Sequence, residues 1–272
     1  MRIDGGTAVL VHLAYPAAHL QTPQLFNPRC AARGVNAVLV PWQVRPDHLA
    51  QTMDSLRRAE SVAGAIVTIP HKETAARLCD RLEGVAGILQ VANVIRREAD
   101  GSLTGRILDG EGFVGGLRAE GFDPQGHSAL IVGAGGVALA IAAALIEAGI
   151  ARLHLANRTQ SRAEAMRDRL AEFAQTQGLS PDIRVTGPDA EGLDLVVNAT
   201  SLGMHEGDRL PISLEGIRPG MTVAEVVMVP PLTPLLHQAR ERGARIVPGR
   251  AMLTGQIDPF IDFVLGADAS RP

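Results

Sequence analysis

Aromatic side chains are scarce: six Phe, one Trp and one Tyr make up 3% of the 272 residues. Proteins that grip single-stranded nucleic acid stack bases on several rings beside a basic groove. Neither feature is present, since the formal net charge is -3 and the isoelectric point is near 6.2. A duplex binder would need a cationic face to displace phosphate counterions, so nucleic acid is excluded as a partner. Cysteine is equally rare. Cys30 and Cys79 are far apart, with no Cys-x-x-Cys pair and no nearby histidine pair, which argues against a disulfide framework or a zinc site. No metal is expected. The opening Met1-Arg-Ile-Asp-Gly-Gly6 lacks the apolar core of a signal peptide, and a cytoplasmic setting is expected. Residues 129–146 run free of charge for 18 positions, long enough to raise the question of a membrane span. Gly133, Gly135 and Gly136 break that run into a short strand and an alanine-rich helix, so no membrane association is expected.

What is present is a folded, two-domain composition. Hydrophobic residues reach 46%, charged residues 20%, and glycine contributes 29 positions, in a chain longer than one hydrophobic core commonly fills. Short apolar runs alternate with amphipathic stretches throughout, the pattern of an α/β protein. In the first part the pattern predicts strands at 8–13, 37–42 and 64–69, and helices at 23–33, 47–60 and 72–82. Thr22 ahead of Pro23 is a candidate N-cap and Gly34 a C-terminal stop. Residues 93–107, with Asp100 and Gly101 between alternating arms, predict a β-hairpin. From 128 a second series begins, with strands at 129–132, 152–157, 183–185, 193–198, 223–227 and 245–247. Its helices are predicted at 137–148, at 160–175 and from Pro234 to a stop at Gly243.

Gly133-Ala-Gly-Gly-Val-Ala138 follows a buried strand and opens a helix, which matches G-x-G-x-x-A in the context that a dinucleotide fingerprint requires. Glycines let the backbone approach a pyrophosphate, and free amides at the positive end of the helix favour the anion. Gly133, Ala134, Gly135, Gly136 and Val137 are therefore candidate cofactor contacts. An NAD enzyme places Asp or Glu at the end of the second strand, against the ribose hydroxyls. Here that strand ends in Asn157-Arg158-Thr159, with Arg162 close behind and no acid before Glu164. Guanidinium groups grip a 2′-phosphate, whereas a carboxylate repels it, so NADP is expected rather than NAD. A short-chain dehydrogenase is excluded, because its Tyr-x-x-x-Lys pair would follow the glycine loop and the single tyrosine, Tyr15, precedes it.

Seven segments then occur in an order and spacing that resembles the shikimate dehydrogenase family. They are Val67-Thr-Ile-Pro-His-Lys72, Asp109-Gly-Glu-Gly-Phe113, the Gly133 loop, Asn157-Arg-Thr159, Asn198-Ala-Thr-Ser-Leu-Gly-Met204, Thr233-Pro-Leu-Leu236 and Met252-Leu-Thr-Gly-Gln256. The resemblance implies an α/β substrate domain (1–108 and 250–272) facing an NADP-binding Rossmann domain (109–249) across a cleft. It implies oxidation of a ring hydroxyl, with hydride passing to the nicotinamide while Lys72 and Asp109 handle the proton. Thr68, Asn93 and Gln256 match positions that contact substrate hydroxyls. Thr200, Ser201, Met204, Val226 and Gly249 match positions near the cofactor. The partner is a small molecule, and the chain is expected to be a monomer or homodimer.

Departures cluster on the substrate side. The family's His-Ser-x-Ser-Pro segment is His19-Leu-Gln-Thr-Pro23, which keeps only the Thr22 hydroxyl. Ile66, Ile107-Leu108 and Met228 stand where the family carries Asn, Asn-Thr and Tyr. Shikimate or quinate oxidation is the leading expectation. A paralogue for a less polar cyclic alcohol or an amino analogue, or an NADP-binding regulatory protein, are its alternatives.

Overall fold

The computed structural model describes residues 3–18 and 20–266; His19 lies outside the described residues. The chain divides into two compact units: one runs to Leu108 and resumes at Gln256, and the other is Asp109–Gly255.

The first unit is built on β1 (Ala8–Ala14), β2 (Ala37–Gln43), β3 (Val62–Val67), β4 (Arg81–Leu82), β5 (Val94–Arg97) and β6 (Leu103–Arg106), in the order β2-β1-β3-β5-β6-β4. β1 is parallel to β2 and β3, whereas β5 pairs antiparallel to β3 and forms the expected antiparallel hairpin with β6. The helices of this unit are α1 (Thr22–Ala32), α2 (Leu49–Arg58), α3 (Lys72–Leu78) and α4 (Val85–Leu89). α1 closes as predicted at Gly34, where φ is +68°. The Val35 amide donates to Cys30 O and the Gly34 amide to Ala31 O, the paired bonds of a glycine-stopped helix.

Two local expectations fail, the second for a tertiary reason. Thr22 is itself the first helical residue, and the cap position falls on Gln21, which adopts helical dihedrals and makes no side-chain cap. The helix predicted at 72–82 ends at Leu78. Beyond it the chain turns extended, because the Asp80 amide donates to Leu103 O and the Glu83 amide to Gly105 O, making residues 81–82 a strand beside β6. β2 is an edge strand. Its exposed side is blunted by Asn27, whose amide donates to Leu39 O at 3.1 Å and accepts from the Leu39 amide at 2.8 Å; Pro41 has no N–H to offer.

The second unit is a parallel sheet of β7 (Ser128–Val132), β8 (Arg152–Ala156), β9 (Asp182–Val185), β10 (Leu195–Asn198), β11 (Thr222–Glu225) and β12 (Arg245–Val247), ordered β12-β11-β10-β7-β8-β9. The chain winds outward from β7 in one direction and from β10 in the other, which puts a topological switch point between β7 and β10. Around the sheet stand α5 (Asp109–Ala119), α6 (Gly136–Glu147), α7 (Gln160–Thr176) and α8 (Pro234–Glu241). The apolar run of α6 is buried from Ala138 to Ile146. No helix among the described residues is long and apolar enough to cross a membrane.

α5 is the element that sequence pattern misses, since four of its eleven residues are glycine and glycine weakens an isolated helix. Packing explains it. A Cβ on Gly110 would lie 2.2 Å from Ala140 O, and one on Gly116 would lie 2.7 Å from the Ala251 backbone. The helix survives because its neighbours press against bare backbone. The same closeness extends the second unit past the expected boundary at 249: α9 (Gly249–Leu265) begins there, with Gly255 against Gly112 O. The later residues of α9, Ile257, Phe260, Ile261 and Val264, join the core of the first unit with Leu10, Phe26 and Leu39.

Candidate active site

Gly133, Ala134 and Gly135 leave the end of β7 at the switch point and lead into α6, whose N-cap is Gly135. Gly133 has φ +121° and donates its amide to Ala156 O at 2.8 Å; a Cβ there would meet Ala199 O at 2.8 Å. That position is glycine for the protein's own packing. Gly135 and Gly136 differ, because a Cβ on either would meet nothing within 4 Å. With Ala134 and Val137 they surround the helix start, where amide groups lack intrahelical partners and the dipole is positive.

Beside this loop, at the carboxyl ends of the strands, lies a cavity of about 1010 Å³. Its walls include Val132, Asn157, Arg158, Thr186, Thr200, Ser201 and Arg209. No carboxylate lines it. Asn157 is pinned by an Nδ2 bond to Thr159 O at 2.8 Å, which shapes the turn that carries Arg158. Thr159 is the N-cap residue of α7, without a side-chain cap bond. Arg162 sits exposed in the first turn of α7 and is not among the cavity's lining residues.

A buried polar relay holds the opposite wall. Glu225, 1% exposed at the end of β11, accepts from Thr233 Oγ1 at 2.6 Å and from Asn198 Nδ2 at 3.0 Å. Asn198 Oδ1 in turn accepts from the Thr200 amide at 3.1 Å and Oγ1 at 2.6 Å, while Asn198 Nδ2 also donates to Leu202 O. Thr233 Oγ1 accepts from the Leu236 amide at 3.3 Å and so caps α8. Burial pushes the Glu225 carboxyl above its ordinary range, opposed by the Thr233 and Asn198 hydrogen bonds. Thr200 and Ser201 thus sit on a loop whose shape is set three residues away. Met204 lies further along that loop, 48% exposed and outside the cavity lining. Val226 donates its amide to Asn198 O at 3.2 Å. Gly249 has a packing reason of its own, because a Cβ would lie 2.3 Å from Val227 O.

In the first unit, backbone bonds knit the candidate substrate residues together. The Val67 amide donates to Asn93 O, the Thr68 amide to Leu13 O, the His71 amide to Thr68 O, and the Ala92 amide to Lys72 O. Lys72 opens α3 and is half-buried. Asn93 Oδ1 accepts from the Leu108 amide at 2.8 Å, which fixes the residue immediately before Asp109. Asp109 is buried and, with Glu111, places negative charge in the first turn of α5. Thr22, Asn93 and Gln256 are also buried. Ile66 and Leu108, only 3% and 1% exposed, belong to the core with Ile257 and Phe260. Their apolar character is satisfied by packing and presents almost no surface to a ligand. Leu20 and Met228 remain half-buried. Burial raises the Cys30 thiol to about 11 and the Cys79 thiol to about 12, which disfavours the nucleophilic thiolate at both. No group of three or more His, Cys, Asp or Glu among the described residues could hold a metal ion.

Residues 13–95 match the family model for the shikimate dehydrogenase substrate binding domain, and residues 118–201 match that for shikimate / quinate 5-dehydrogenase. A shikimate dehydrogenase (NADP(+)) from Rubrobacter xylanophilus is 42% identical over 256 residues, covering 94% of this chain and 89% of that protein. The chain belongs to the shikimate dehydrogenase family. Two solved relatives superimpose along nearly its full length. A shikimate dehydrogenase in complex with NADP+ gives a TM-score of 0.87 at 29% identity, covering 98% of this chain and 92% of that one. A shikimate 5-dehydrogenase from Listeria monocytogenes, in complex with shikimate and NAD, gives 0.86 at 27%, covering 97% and 94%. Membership makes the chain an oxidoreductase of the alcohol dehydrogenase type, with the two-domain α/β architecture of that family.

Against this family background, two functional candidates escaped sequence reading. Glu225 is a lone acid at a strand end, and only the 27-residue separation closed by β10–β11 pairing brings it to Asn198. Arg209 sits in a glycine- and proline-rich stretch with no periodic pattern. No local signal points to either.

Proposed function

We propose that this chain is an NADP-dependent oxidoreductase that interconverts a ring hydroxyl and a ketone on a cyclic hydroxy acid of the shikimate type. The observation that carries the reading is the switch-point site of the second unit. Open space stands over Gly135 and Gly136, where a Cβ would meet nothing within 4 Å, beside a large cavity lined by Arg158 and Arg209 and by no carboxylate residue. A pyrophosphate fits the open amides of the glycine turn, and a 2′-phosphate fits Arg158. When bound, NADP supplies the hydride acceptor.

The chain's own residues then bind, orient and move the proton. Gly133–Val137 and Asn157–Thr159 hold the two halves of the dinucleotide, with Thr200 and Ser201 closing the wall that Asn198 and Glu225 shape. Arg162, Met204, Val226 and Gly249 complete the proposed cofactor set. Lys72 and Asp109 are the proposed proton-handling pair: the substrate hydroxyl proton leaves to this pair as the carbon gives up its hydride, and returns on reduction. Thr22, Thr68, Asn93 and Gln256 are the proposed substrate contacts, and Asn93 also holds the segment that leads into Asp109.

A second substrate reading rests on Leu20 and Met228, which stand where the family resemblance placed hydroxyl donors for a carboxylate. Each hydrogen bond to a charged group contributes about 1.5–3 kcal/mol, so an acid held there would bind more weakly than where those donors are kept, which favours a less polar cyclic alcohol or an amino analogue. Steady-state assays with shikimate, quinate and uncharged cyclic analogues, each with NADP and NAD, separate the readings. Turnover of shikimate or quinate with NADP is expected, with kcat reduced at least a hundredfold in Lys72→Ala. Tight NADP binding without turnover of any ring alcohol would overturn the enzymatic reading.

A further inference from the structure

The cavity beside the glycine loop is lined by two arginines from distant parts of the chain, Arg158 after β8 and Arg209 in the segment between β10 and β11. Arg158 is the residue that position after the second strand singles out; Arg209 is 51 positions further on. It belongs to a stretch, Arg209–Ser213, that contributes five consecutive residues to the cavity wall. We infer that Arg209 is a further 2′-phosphate contact, sharing the cavity lining with Arg158, and a determinant of NADP over NAD. This rests on the NADP reading above and adds a residue to it.

Four observations support the assignment. The wall contains two cationic side chains and no acidic one, so an anion is the only ligand charge that the site favours. The residue beside Arg209 is an acid, yet its carboxylate is used elsewhere: Asp208 Oδ2 accepts from the Gly203 amide at 2.9 Å and the His205 amide at 3.1 Å. Those bonds hold the Asp208 carboxyl below its ordinary range and tie the loop back onto itself. Neither Arg158 nor Arg209 makes an ion pair among the described residues. Leu210, Pro211 and Ile212, which follow Arg209 in the cavity lining, give an apolar surface of the kind that suits a base and ribose. An arginine fork presents paired donors to phosphate oxygens, which a ribose hydroxyl cannot match.

The test is calorimetric titration of the whole protein with NADP, NAD and adenosine 2′,5′-bisphosphate, comparing the parent with Arg209→Gln and Arg209→Lys. Arg209→Gln is expected to weaken NADP and the bisphosphate about tenfold, the equivalent of one exposed charge-assisted contact, while NAD changes by less than twofold. Arg209→Lys should recover part of the loss. Unchanged NADP affinity in Arg209→Gln, or equal losses for NADP and NAD, would overturn the inference while leaving the NADP reading intact. A parent that binds neither NADP nor the bisphosphate would overturn both.

Discussion

Thr233→Val tests the buried relay that shapes the cofactor wall. Valine keeps the size and branching of threonine, so packing beneath Gly203 is preserved, and only the hydroxyl is lost. That hydroxyl caps α8 through the Leu236 amide and donates to Glu225 Oε2 at 2.6 Å. Loss of a side-chain N-cap costs about 1 kcal/mol. A buried acceptor left without its donor costs a further 1–3 kcal/mol or so, and Glu225 is 1% exposed, so water cannot replace the bond. The expected total is roughly 2–4 kcal/mol, which at about 2–4 °C per kcal/mol lowers Tm by about 4–16 °C. Thermal denaturation followed by circular dichroism reads the loss. The double variant Thr233→Val with Glu225→Gln should lose less than the sum of the two single changes, because the carboxylate that needed the hydroxyl is gone. A Thr233→Val protein within about 0.5 kcal/mol of the parent would refute the relay as a support of this unit.

Glu225 also predicts a pH dependence. Its folded-state pKa lies above the unfolded value, so the stability it contributes is complete below the unfolded pKa and is lost as pH rises through the folded one. Glu225→Gln should therefore gain relative to the parent as pH increases, and a Tm difference that is flat from pH 4 to 9 would contradict this. Gly110→Ala should destabilise by about 1–3 kcal/mol or more in a denaturant titration, since the new Cβ would strike Ala140 O at 2.2 Å. Gly135→Ala should leave stability within about 0.5 kcal/mol, because its Cβ meets nothing within 4 Å, yet weaken NADP binding at least tenfold by occupying the pyrophosphate's space. The reverse pattern at Gly135 would show that its glycine serves folding.

Much of the local structure was legible in the residues. The glycine stop after α1, the hairpin around Gly101, and the strand–loop–helix at Gly133 depend on contacts within a few positions. They can be recognised wherever a turn chemistry or hydrophobic period is intact. α3 shows the limit: its predicted last turn is helical by composition, and pairing with β6 pulls it into a strand. α5 shows it from the other side, because four glycines make a poor helix until Ala140 and Ala251 come close enough to need them. Ile66 and Leu108 read as altered pocket residues in one dimension, whereas in three they are core, and the specificity question passes to Leu20 and Met228.

By itself the sequence determined the α/β class, the dinucleotide turn, the lack of an acid after the second strand, and the family. Each of these is encoded in short windows or in the order of motifs. Tertiary structure alone decided which sides of those windows face one another. Strand order put the glycine loop at the switch point between β7 and β10, brought Glu225 to Asn198, and carried Arg209 to the same cavity wall as Arg158. Glu225 and Asn198 share a hydrogen bond across 27 positions and the two arginines a cavity lining across 51, and no local propensity records a neighbourhood that forms only when the sheet assembles.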